Sequence, residues 1–178
     1  MKFSQFLNET PMLQHLQRDI GSQVPSYYKI KDEYELEDDG YDLYTTETDD
    51  GINYAILNIE EKEIKFFSSV KETRIFGKKY YTQKYVYKSE NVSSSLVQQI
   101  FFNFILPKHK IIATDDTQSK GGKNMWKNII KYAIDNNRYE VGYSKNGKDL
   151  ILFDKDNWQK EFNNGYLDTE TFFYIKLK

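Results

Sequence analysis

The stretch from Ser93 to Pro107 constrains the fold more than any other part of this chain. Ser93-Ser94-Ser95 is a helix-capping cluster, because a hydroxyl at the N-cap accepts an otherwise unpaired N–H of the first turn. Leu96, Val97, Ile100, Phe101, Phe104 and Ile105 follow at helical spacing, and Pro107 is expected to end the run. Apolar side chains on most of its circumference demand cover from several directions. The longest apolar-rich run here, 100–106, is far shorter than the roughly 20 residues a membrane span needs, so that cover must be protein.

The segments before and after this helix read differently. Residues 3–20 predict a first helix, with Phe6, Leu7, Leu13 and Leu16 as its stripe and Gly21 as its stop. Strands are expected over 26–30, 41–46, 52–59, 63–76 and 79–88, with hairpin turns at Asp49-Asp50-Gly51 and Gly77. After the buried helix comes a short strand over 110–114, a loop over 117–122 and a helix from Lys123 to about Asn136. Trp126, Ile129, Ile130 and Ala133 share one face of that helix. A hairpin of 139–144 and 149–153 turns on Asn146-Gly147, followed by a short helix near 157–162 and a last strand over 171–177. The fold class is α+β, a mainly antiparallel sheet with helices packed on it. At 178 residues the chain is expected to be a single domain, 1–178, read as an N-terminal helix (1–24), antiparallel strands (25–92) and a mixed remainder (93–178).

Composition narrows the chemistry. There is no cysteine, which removes disulfides, thiolate metal sites and cysteine nucleophiles. His15 and His109 are the whole histidine complement, so no metal site is expected. The N-terminus lacks the apolar run of a secretory signal, and a cytoplasmic location is the expectation. The net charge of −2 is unevenly spread: −9 over residues 1–60, +6 over 61–110 and +1 over 111–178. The acidic segment 32–50 reads either as a solvated edge or as a face for a basic protein partner. Residues 78–88 interleave lysines with tyrosines, a pattern that suits a protein partner or the stacking of a nucleic acid. Tyr81, Tyr85 and Tyr87 also fit strand alternation, which weighs against nucleic acid.

The most informative stretch runs from Ile111 to Trp126. Gly121 and Gly122 lie between an expected strand and an expected helix, and Lys120 and Lys123 flank them. A helix N-terminus offers unpaired N–H groups and a favourable dipole to an anion, so this is a phosphate cradle or a plain strand–helix connector. It is not a nucleotide P-loop, because Thr117 and Asn124 stand where that motif needs Gly and Ser or Thr. Gln118-Ser119-Lys120-Gly121-Gly122-Lys123 instead resembles the Q/R-x-x-G-x-G/A loop of the GNAT N-acetyltransferases. It departs at Lys123, where that family has Gly or Ala. The order of helix, antiparallel strands, buried helix, strand, glycine loop and helix is also similar over about 25–178. The run from Asp115 to Trp126 looks like acetyltransferase-like proteins of bacteriophages, and richness in Lys, Asn, Ile and Tyr fits such an origin.

The resemblance implies acetyl-CoA as cofactor, held through residues 118–123, and acyl transfer to an amine. Asp115 and Asp116, beside that loop, are the candidates for handling the amine. Tyr143, on the strand after the helix, and Tyr166, beyond the short helix, are the candidates for the proton donor. A rival expectation keeps the GNAT-like fold without activity, as a phage or bacterial protein that binds a host or virion macromolecule through the acidic or the basic–aromatic segment.

Overall fold

The computed structural model describes residues 28–29, 43–49, 51–58, 63–75, 77–114, 120–146, 148–166, 168 and 170–178. The expected helix over 3–20 and the acidic residues 32–39 lie outside them. The chain divides into two compact units, one from 1–70 and 85–99, the other from 71–84 and 100–178. Together the described residues form an α+β structure with a mixed, mostly antiparallel sheet.

In the first unit the strands follow chain order: β1 (Tyr28–Lys29), β2 (Leu43–Thr48), β3 (Gly51–Asn58) and parts of β4 (Glu63–Ile75) and β5 (Lys78–Lys88). β2 and β3 pair antiparallel from Leu43 opposite Ile56 to Thr48 opposite Gly51. Gly51 therefore begins a strand rather than closing the turn, and the Thr48 hydroxyl donates to its carbonyl at 3.1 Å. From Ile64 to Val70 every side chain except that of Lys65 is buried, so this part of β4 is covered on both faces and does not alternate. The N-cap reading holds. Ser93 Oγ accepts the Leu96 N–H at 3.1 Å and opens α1 (Ser94–Ile100).

In the second unit the helix does not stop at Pro107. A π-helical turn, Phe101–Ile105, leads into α2 (Leu106–His109), with Pro107 in the first turn of α2. A proline inside a regular helix clashes with the carbonyl four residues back. The wider turn, in which the Leu106 N–H reaches back five residues to Phe101 O, makes room for it. The inserted residue also rotates the stripe. Phe102, expected on no face, is buried against Tyr132 and Tyr139 at 4.6 and 4.8 Å between ring centroids, while Phe104 is only half-buried. The helix ends at Lys110, which takes a left-handed φ of 66°.

Strand order in this unit is β4, β5, β6 (Ile111–Ala113), β9 (Thr171–Leu177), β7 (Tyr139–Lys145) and β8 (Ile151–Leu152). β5 and β6 run parallel, with Tyr81 opposite Ile112 and Thr82 opposite Ala113. Parallel neighbours need a long crossover, and the helical stretch 94–109 is that connection. The last strand, β9, inserts between β6 and β7 and pairs antiparallel with both. α3 (Lys120–Asp135) buries Trp126, Ile129, Ile130 and Ala133 as the spacing requires, with Trp126 edge-on to Phe101 at 5.8 Å. α4 (Trp158–Tyr166) is longer than expected. It rests Phe162 on Phe173 at 4.6 Å, and its Gly165 comes so close to β9 that a Cβ there would lie 3.0 Å from the Phe173 ring. Among the described residues no helix is long and apolar enough to cross a membrane.

Candidate functional site

The candidate site lies in the second unit, where β6 ends and α3 begins. Ile112 and Ala113 are fully buried between β5 and β9, and the next residue, Thr114, changes the pattern of the ladder. Its N–H donates to Phe173 O at 2.8 Å, as an antiparallel pair requires. The return bond from the Phe173 N–H goes to the Thr114 hydroxyl at 3.0 Å, where a regular ladder would use the Thr114 carbonyl. The side chain thus stands in for the main-chain carbonyl, and the regular ladder between β6 and β9 ends at this residue. On the other flank β5 continues to Lys88, past its last pairing with β6 at Thr82. Nothing in the sequence marks Thr114, because a threonine at the end of an apolar strand is an ordinary strand residue.

Asp115, Asp116, Gln118 and Ser119 lie outside the described residues. α3 starts at Lys120, so Lys120, Gly121, Gly122 and Lys123 form its first turn, three residues earlier than the expected start at Lys123. Each glycine costs a helix interior about 1 kcal/mol relative to alanine. Burial of Trp126 and the three residues that share its face outweighs this, at roughly 1.5–3 kcal/mol for each large apolar side chain. A helix N-terminus favours an anion through its dipole, and the first turn of α3 contains no acid.

Lys123 is half-buried, and its Nζ sits 4.1 Å from the centre of the Tyr166 ring. Tyr166 closes α4, and burial raises the pKa of its phenol. The structure therefore sets Tyr166 against the glycine-bearing turn. Tyr143 lies on β7 opposite Phe173 and Ile151, half-buried, with its ring 5.5 Å from that of Phe153.

The basic–aromatic segment is β5. Its Tyr80 is buried with Ala113, Phe172 and Tyr174, its Tyr81 lies against His109 at 4.5 Å, and its Lys79 pairs with Glu72 at 2.8 Å. Burial, followed by the charge of Lys108, lowers the His109 pKa to about 4 and keeps the imidazole neutral. Among the described residues no group of three or more His, Cys, Asp or Glu side chains is placed to hold a metal ion. Compared with protein-family models, curated proteins and solved structures, the chain matches none.

Proposed function

We propose that this chain is an acetyltransferase-like protein that binds acetyl-CoA where β6 opens into α3 and transfers the acetyl group to an amine. The observation that carries this reading is the junction at Thr114, where a strand paired parallel to β5 leaves the ladder and leads to a helix with glycines in its first turn. Ligands of sheets with parallel strands sit outside the carboxyl ends of those strands. The turn suits a pyrophosphate: a helix N-terminus, two residues without Cβ, a nearby ammonium and no acid.

Lys123 is held by Tyr166, yet that contact does not keep it from a phosphate. A cation–π contact contributes about 0.5–1 kcal/mol at an exposed site. A charge-assisted hydrogen bond contributes about 1.5–3 kcal/mol. When bound, acetyl-CoA supplies an activated thioester. Asp115 or Asp116 takes the proton that the amine loses as its nitrogen bonds to the acetyl carbon. Tyr166 or Tyr143 gives a proton to the sulfur as the C–S bond breaks. A tyrosine phenol is protonated at neutral pH, the state a donor requires.

A second reading, binding of a macromolecule without catalysis, is favoured by one observation. The residue that replaces the family's Gly or Ala is Lys123, and its long side chain already has an intramolecular partner. Calorimetric titration with acetyl-CoA and with CoA separates the two. Gly121→Asp/Gly122→Asp is the control, because acids in a first turn suit the helix dipole but repel a phosphate. Micromolar binding that the control loses supports the enzyme reading. No binding at millimolar CoA overturns it and leaves the second.

A further inference from the structure

Independently of that site, we propose that the β8 edge pairs with a second copy of this chain, antiparallel across a two-fold axis at Ile151. β8 ends the strand order of the second unit among the described residues. β8 and the residue before it present three successive exposed apolar side chains, Leu150, Ile151 and Leu152, at 39%, 45% and 58%. An edge strand presents unpaired main-chain donors and acceptors, and proteins usually blunt such an edge with a proline, a bulge or a charge pointing along it. Here the run Lys148-Asp149-Leu150-Ile151-Leu152-Phe153-Asp154-Lys155 has no proline, and its charges stand only at the two ends.

Hydrogen-bond parity selects the partner. The Phe153 N–H donates to Val141 O on β7, and the register pairs Ile151 with Tyr143 two residues on, so by antiparallel alternation odd-numbered residues bond inward. By strand alternation Leu150 and Leu152 direct their N–H and C=O groups outward. Further out the main chain is already used: Lys148 O accepts the Ser144 hydroxyl, and Asp154 O accepts the Asn157 N–H. One antiparallel self-pairing satisfies all the outward groups of Leu150 and Leu152. It sets Leu150 opposite Leu152 of the second copy, and Leu152 opposite Leu150, with Ile151 facing Ile151 on the axis.

Charge agrees with this register. It brings Lys148 opposite Asp154 of the second copy, twice by symmetry. The Asp154 carboxylate is already fixed by the Asn157 side chain at 2.7 Å and the Asp156 N–H at 3.1 Å. Shifting the pairing by one residue would oppose Lys148 to Lys155 and Asp149 to Asp154. It would also set outward-bonding residues against inward-bonding ones. The strand is thus complementary to itself in hydrogen bonds, apolar surface and charge in a single register, the requirement of an isologous contact.

Sedimentation equilibrium of the full chain from micromolar to millimolar concentration tests the assignment. A reversible monomer–dimer equilibrium is expected. Ile151→Lys, which opposes two ammonium groups on the axis at an exposed position, should weaken it about tenfold or more. A monomer throughout the range, or a dimer unaffected by Ile151→Lys, overturns the proposal. The register has its own readout, since the chain has no cysteine to interfere. Directly opposed residues of a non-hydrogen-bonded pair stand about 4.5 Å apart at Cα, within disulfide reach. Ile151→Cys should therefore oxidise to a covalent dimer faster than Leu150→Cys or Leu152→Cys. Preferential cross-linking at 150 or 152 overturns it.

Discussion

β7 has two neighbours, and they have opposite fates. On one side β9 carries Phe172, Phe173, Tyr174 and Ile175, four successive residues each no more than 4% exposed. On the other side β8 carries Ile151 and Leu152, both exposed, with exposed Leu150 just before it. As sequence the two runs are the same kind of object, short and continuously apolar. β9 is flanked by β6 and β7 and covered by α4, whereas among the described residues β8 has a neighbour on one side only. A continuous apolar run therefore identifies a strand but not its place in the sheet. Place is decided by pairings far apart in the chain.

The largest effect should come from removing that cover. Phe173→Ala, whose ring meets those of Phe162 and Phe153, should cost about 3–5 kcal/mol in denaturant unfolding. Leu152→Ala should stay within about 0.5 kcal/mol. Equal costs would dissolve the contrast between the two strands.

Gly142 is the point on β7 where β8 approaches most closely, and a Cβ there would lie 1.9 Å from the Ile151 carbonyl oxygen. That contact is main chain and cannot rotate away. Gly142→Ala should displace β8, cost about 1–3 kcal/mol, and remove hydrogen-exchange protection at the Phe153 amide while sparing that at Ile175. Thr114→Val keeps the shape but leaves the buried Phe173 N–H without its acceptor, at about 1–3 kcal/mol, and Thr114→Ser should recover most of it. An equal loss for valine and serine would show that the hydroxyl is not what ends the β6 ladder.

The most conditional effect involves His109. Its pKa is about 4 in the fold against 6.5 in the unfolded chain, so between those values the unfolded chain binds more protons. Stability is then whole above pH 6.5 and falls as pH drops toward 4, by about 1–3 kcal/mol. His109→Phe should flatten that part of a pH–stability curve, and a slope unchanged in the variant would exclude His109 as its source.

Local features of this fold were legible from residue chemistry. The Ser93 cap, the Trp126–Ile129–Ile130–Ala133 face and the Asn146 turn each depend on neighbours a few residues apart. The last of these holds Asn146 at a left-handed φ of 52°, with the Lys148 N–H bonded to Lys145 O. Three things were not legible. The π-helical turn that accommodates Pro107 depends on tertiary cover of Phe101 and Phe102 rather than on local propensity. The early start of α3 at Lys120 sets the cost of two glycines against the burial of a distant face. The insertion of β9 between β6 and β7 is a long-range pairing with no local signature. Of the candidate site, the glycine-bearing turn and its lysines were visible in sequence. The Thr114 junction and the approach of Tyr166 to Lys123 required the fold.

The proposed cofactor site is tested most directly by backbone amide shifts of the isotopically labelled chain on titration with CoA. The expected result is saturable shifts clustered at residues 114–123 and at Tyr166, with the β8 amides unmoved. Shifts absent at millimolar CoA, or centred elsewhere, would contradict the assignment of the β6–α3 junction as the phosphate-binding site.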